Sequence, residues 1–138
     1  MFWLRLDHLR MRRMWVRQAK VRALKVSPDP LISSYVEILQ RWARNERLVK
    51  RVLIFGSRAR GNYSPGSDLD IAIELPFFEA NTNLANFQFE QDRWKSDLMK
   101  IIKLEVDVQI LEVHNTNSIV CRGVSEKSIL AYQKDEVA

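Results

Sequence analysis

Apolar residues recur at helical spacing from Leu31 through Tyr35, Ile38, Leu39 and Trp42 to Leu48. Glu37, Gln40, Arg41, Arg44 and Glu46 fall between them, which predicts a first helix over residues 30–47. Ser27-Pro28-Asp29-Pro30 marks its start, with Ser27 or Asp29 as N-cap and a proline in the first turn. The run Val49 to Phe55 reads as a buried strand and Leu69 to Leu75 as a second one. The intervening Arg58 to Ser67, with Gly61, Asn62, Ser64, Pro65 and Gly66, is loop chemistry throughout. A connection of that length suits neighbouring strands of opposite direction, so the Gly56-Ser57 end of the first strand should lie beside the aspartate-bearing start of the second. Pro76 ends the second strand, and Phe77 to Asn81 is a loop. From Asn83, the spacing of Leu84, Phe87, Phe89, Trp94, Leu98, Ile101 and Ile102 predicts a long helix. Glu105, Asp107 and Gln109 alternate with Val106, Val108 and Ile110, a third strand with one polar face over Leu104 to Leu111. The tail predicts a short helix over Ser118 to Arg122, a break at Gly123, and a last apolar patch at Ile129, Leu130 and Tyr132.

Charge changes this picture only at the N-terminus. The net charge of +5 is unevenly spread: residues 1–26 hold eight of the 22 basic side chains against Asp7 alone, leaving the remainder mildly acidic. The body is therefore not a basic nucleic-acid-binding domain, and the chain divides into a basic extension, 1–27, and a domain, 28–138. Three readings of the leader stay open: an amphipathic arm for an acidic surface such as membrane or RNA, an arm docking on a partner, or an extension without function upstream of the domain. The last is preferred because the body reads as complete without it. Arg5, Asp7 and Arg10 interrupt any signal-peptide core, and no apolar segment approaches the ~20 residues of a membrane span. The lone Cys121 cannot form an internal disulfide and suits a reducing cytoplasm, where it reads as a small buried apolar side chain. His8 and His114 read as solvated or satisfied histidines, and Trp42 and Trp94 as core.

Residues two apart in a strand share a face, so Asp68 and Asp70 should project together while Leu69 and Ile71 enter the core. Two carboxylates so aligned suit Mg²⁺, and Asp107 completes the group if its strand is adjacent. Three clustered carboxylates repel one another unless cations lie among them. Gly56 allows close approach of backbone to a phosphate, and the Ser57 hydroxyl with nearby N–H groups can bind its oxygens. Arg58 and Arg60 offer positive charge, and Ser67 can cap or orient the aspartate strand. Each part alone is commonplace, but their order places phosphate ligands and metal ligands at one end of one sheet.

Gly56-Ser57-Arg58-Ala59-Arg60-Gly61, then Ser67-Asp68-Leu69-Asp70, then Val106-Asp107-Val108, resembles the nucleotidyltransferase superfamily that includes DNA polymerase β. It is most similar to the minimal, MNT-type branch, over roughly residues 30–135. The resemblance implies an α/β (α+β) nucleotidyltransferase fold, with a small mixed β-sheet, helices on one face and the active site on the other. It implies transfer of a nucleoside monophosphate from an NTP, ATP foremost, to an acceptor hydroxyl with release of pyrophosphate. By position, Asp68, Asp70 and Asp107 would hold two Mg²⁺ ions, with Mn²⁺ as a substitute, and Asp107 would help activate the acceptor. Gly56 and Ser57, with Arg58, Arg60 and Ser67, would serve the nucleotide phosphates.

Minimal members are often encoded beside a small helical HEPN-type or substrate-binding protein, and several are antitoxins that adenylylate a tyrosine on that partner. The resemblance thus implies the catalytic half of a toxin–antitoxin pair, with the acceptor supplied by the partner. Two other readings remain beside it: a non-catalytic nucleotide- or partner-binding antitoxin that acts by occlusion, and a transferase acting on an antibiotic or other small molecule. The base, the acceptor and the oligomeric state are not legible in these residues.

Overall fold

The computed structural model describes residues 30–135; the basic leader, His8 and the Ser27–Asp29 boundary lie outside them. Among the described residues, four strands and four helices alternate in the order α1 (Pro30–Arg44), β1 (Arg51–Phe55), α2 (Gly56–Arg60), β2 (Leu69–Glu74), α3 (Ala80–Ile102), β3 (Val106–Ile110), α4 (Ile119–Glu126) and β4 (Ile129–Gln133). The sheet order is β3-β2-β1-β4. β1 runs antiparallel to both β2 and β4, while β2 and β3 are parallel, so the sheet is mixed as expected.

Strand alternation sends Val52 and Ile54 of β1, Leu69, Ile71 and Ile73 of β2, and Val106 and Val108 of β3 to one face. There they meet the apolar stripes of α1 (Ile32, Tyr35, Leu39, Trp42) and α3 (Phe87, Trp94, Leu98, Ile102). Trp94 is fully buried and stands edge-on to Trp42, with ring centroids 6.0 Å apart. Burial of each such large apolar side chain contributes about 1.5–3 kcal/mol. The two helices are also joined at their polar rims, where both guanidinium Nη atoms of Arg93 donate to Glu46 at 2.9 Å and the Trp94 Nε1 donates to the same carboxylate at 3.2 Å.

Several boundaries differ from those predicted. α1 stops at Arg44 rather than near residue 47, because Asn45 and Glu46 close it with bonds to the Trp42 and Ala43 carbonyls and the Asn45 side chain donates to Arg41 O. α3 starts before Asn83, whose side-chain amide instead bonds both the N–H and the carbonyl of Phe77 and pins the preceding loop. The last apolar patch is a strand, β4, at the edge of the sheet beside β1. Residues 56–60, read as turn and loop, wind into a short helix closed by Gly61 in the left-handed region, φ 82°.

The opposite face of the sheet is shared between α4 and an open polar region. Leu53, Phe55 and Ala72 pack with Cys121 and Val124 of α4 and with Leu111. Ser118 caps α4 by accepting from the Cys121 N–H at 3.0 Å. Gly123, expected to break this helix, lies inside it. A Cβ there would stand 2.9 Å from a ring carbon of Phe55, so glycine sets how closely α4 can approach β1. Gly123→Ala should therefore destabilise the domain by about 1–3 kcal/mol through overpacking. The measurement is urea unfolding, and a midpoint equal to wild type would refute this spacing role.

Candidate active site

Two register pairs build the site. Asp70 lies opposite Phe55 on one neighbouring strand and opposite Asp107 on the other. Since Gly56 and Ser57 follow Phe55 directly, the Gly-Ser turn and two of the three aspartates meet at one end of the sheet. Leu69 and Ile71, on either side of Asp70, are fully buried against α1 and α3, which fixes the aspartate on the opposite face. Asp68 is exposed and immediately precedes β2, whose first N–H, from Leu69, bonds Glu105 O at 2.9 Å.

The closest approach in the site is between Gly56 and Asp70. A Cβ on Gly56 would lie 2.0 Å from Asp70 Oδ2, and Gly56 has φ +73°, in the left-handed region. Any other residue there would both strain the backbone and displace the carboxylate. The helical turn that follows is preceded by Phe55, which offers no side-chain oxygen to its N–H groups.

Electrostatics single out Asp70. Burial raises its carboxyl above the ordinary aspartate value of 3.8, the carboxylates of Asp107 and then Asp68 push it further, and only Arg60 opposes the rise. Asp107 and Asp68 thus both lie close enough to act on Asp70. Among the described residues no three acidic, His or Cys side chains converge into a ready-made cage for an ion. Asp70 lies against Gly56, and Asp107 Oδ1 accepts from Gln109 Nε2 at 3.0 Å. The donor set nevertheless fits a hard divalent cation, being all carboxylate oxygen, with a half-buried member whose charge is disfavoured until a cation approaches.

The two arginines part company. Arg60 is exposed and close enough to act on Asp70. Arg58, expected to serve phosphates with it, is only 4% exposed and turned away into the loop. Its Nε and Nη2 both donate to Ser67 O, at 3.1 and 2.9 Å, and its guanidinium lies over the rings of Tyr63 and Tyr35, at 4.7 and 5.8 Å. A guanidinium committed to those partners is not free to meet a nucleotide. Ser67, expected among the phosphate ligands, has its hydroxyl in the loop, where it accepts from Ser64 N–H at 2.9 Å. Gln109 was not singled out from sequence; its position two residues after Asp107 on the polar face of β3 was the available signal.

Among the described residues, Cys121 belongs to the apolar cluster under α4 and not to the carboxylate group. Cys121 is buried, its thiol donates to Glu112 O at 3.2 Å, and burial raises its pKa, which suits an inert packing residue. His114 is exposed in the turn after β3. Among the described residues no helix is long and apolar enough to cross a membrane.

Comparison with known proteins agrees with this geometry. Residues 36–133 match the nucleotidyltransferase domain family. No curated protein sequence matches the chain significantly. Among solved structures, the fold is similar to a chain of a toxin–antitoxin complex with AMP-PNP, at 17% identity and a TM-score of 0.53, covering 74% of this chain and 75% of that one. It is equally similar to a chain of a variant MntA–HpeT toxin–antitoxin complex, at 16% identity and a TM-score of 0.53, with coverage of 74% and 75%. With the family matched across most of the domain and the fold shared, the chain belongs to the nucleotidyltransferase domain family.

Proposed function

We propose that this protein transfers a nucleoside monophosphate from an NTP, ATP foremost, to a hydroxyl on a partner protein, as the antitoxin half of a two-gene HEPN/MNT-type pair. The observation that carries the chemistry is the Phe55–Asp70–Asp107 register, which sets the Gly56-Ser57 turn directly against one of two neighbouring carboxylates. The likeness to toxin–antitoxin chains, one of them with AMP-PNP, supports the choice of ATP and of a protein acceptor.

In this reading Asp68, Asp70 and Asp107 hold two Mg²⁺ ions, for which Mn²⁺ can substitute. When bound, such ions neutralise charge on the attacking and leaving oxygens of an in-line displacement. The protein's own groups do the positioning. The backbone at Gly56 and the Ser57 hydroxyl hold the β- and γ-phosphates, and Arg60 adds positive charge at the same rim. Asp107, held by Gln109, receives the acceptor hydroxyl. The acceptor hydroxyl gives its proton to the Asp107 carboxylate as its oxygen bonds to the α-phosphorus, the bond from that phosphorus to the β-phosphate oxygen breaks, and pyrophosphate leaves with its electron pair.

Asp70→Asn should separate function from stability. Transfer should fall at least 100-fold, about 2.7 kcal/mol at the barrier. In buffer containing EDTA at pH 7 the same variant should unfold at a higher temperature than wild type, because an unfavourable charge is removed. The sign follows from the raised carboxyl. The stability this group contributes is fully present below pH 3.8 and is lost as pH rises through the raised value, so the advantage of the variant should shrink towards pH 3. Retained transfer would defeat the catalytic assignment, and a lower unfolding temperature at pH 7 would defeat the electrostatic one.

The acceptor is tested by incubating the protein with Mg²⁺ and each α-labelled NTP, with and without the product of the neighbouring gene. Label from ATP on that product is the expected result. A tight unlabelled complex would overturn transfer in favour of occlusion, and label only on added small hydroxyl compounds would overturn the protein acceptor.

A further inference from the structure

Arg58 lies one residue after Ser57, and Ser67 lies one residue before Asp68, so the pair of hydrogen bonds from the Arg58 guanidinium to Ser67 O spans the loop between the two halves of the site. The Ser67 carbonyl belongs to the same planar peptide group as the Asp68 N–H. A bidentate grip on that oxygen therefore fixes the orientation of the peptide from which Asp68 starts. A weaker third contact reaches Pro65 O at 3.5 Å, and the rings of Tyr63 from the loop and Tyr35 from α1 flank the guanidinium. Among the described residues Arg58 enters no ion pair with a carboxylate. Burying a cation costs several kcal/mol, and here hydrogen bonds to carbonyls and ring faces offset it. The planar fork of arginine suits this grip, whereas lysine can offer only a point charge.

We propose that Arg58 is a positioning residue that couples the Gly-Ser half of the site to the aspartate half by clamping the Ser67–Asp68 peptide. This rests on the nucleotidyl-transfer reading for its effect on rate, while its effect on the loop and on cation binding is measurable without turnover. The variants are Arg58→Lys, which keeps charge and loses the fork, and Arg58→Met, which loses both. Three readouts on the full-length protein are informative: amide hydrogen exchange of residues 61–68, Mn²⁺ binding followed by electron paramagnetic resonance, and kcat and KM for ATP.

Arg58→Lys should exchange its loop amides faster while amides in β1 and α3 keep wild-type rates. It should bind Mn²⁺ about tenfold more weakly and lose about tenfold in kcat, with KM for ATP changed less than about threefold. Arg58→Met should exceed it in each respect; should Arg58→Met not fold, the lysine variant alone decides. Wild-type loop exchange and Mn²⁺ affinity in Arg58→Lys would overturn the proposal. A rise in KM with kcat unchanged would also overturn it, by showing that Arg58 binds the nucleotide directly. Failure of the wild-type protein to transfer any nucleotide would instead count against the transfer reading, and the exchange and Mn²⁺ results would still decide the role of Arg58.

Discussion

The structure depends on one close contact, the Asp70 carboxylate lying against the bare Cα of Gly56. That contact requires the β1–β2 register in which Phe55 faces Asp70, and the register is enforced from the other side of the sheet. Val52, Ile54, Leu69 and Ile71 must all reach the α1–α3 core. A slip of one residue would turn the whole apolar set outwards and place Leu69 or Ile71 where the carboxylate now lies. The hydrophobic core thus sets the position of a charged group on the opposite face. Its stability is also what makes a half-buried aspartate, crowded by two others, tolerable.

That second face is polar at both ends and apolar between them. At the site end are the aspartates; at the far end of the same strands, Arg51 is buried beside Glu74, to which it donates, with Lys50 3.8 Å away. Leu53 and Ala72 lie between, covered by Cys121 and Val124 of α4. At the far end two cations meet one carboxylate, while the site end carries carboxylates in excess. Placing α4 over the middle keeps the two polar groups apart and leaves the carboxylates open at the rim. Gly123 tunes this cover, since the Phe55 ring it touches belongs to the residue immediately before Gly56.

Much of this was legible because strands are simple. Period-two alternation alone assigns Asp70 and Asp107 to one face and Leu69, Ile71, Val106 and Val108 to the other, and the apolar spacing of α1 and α3 names their partners. Glycine was harder to interpret. At position 123 its local tendency to end a helix suggested a break, whereas its lack of a side chain serves packing against a ring that is distant in sequence. β4 does not show as a strand in the sequence because Ile129 to Tyr132 is apolar at every position and displays no alternation. The end of α1 depended on the Asn45 side chain and the Glu46 contacts with α3, neither of which periodicity contains.

The two arginines show why the rest of the site could not be read in the same way. If residues 57–60 were extended, Arg58 and Arg60 would share a face and both would lie at the rim near Asp70. In a helix each step turns about 100°, so residues two apart diverge by about 200°. The five residues Gly56 to Arg60, bounded by glycines of positive φ, therefore send Arg58 and Ala59 inwards while Ser57 stays partly exposed and Arg60 exposed. One turn of helix thus divides two identical side chains between structure and site. A flat loop with the same composition would leave both cations at the rim and nothing to hold the Ser67–Asp68 peptide.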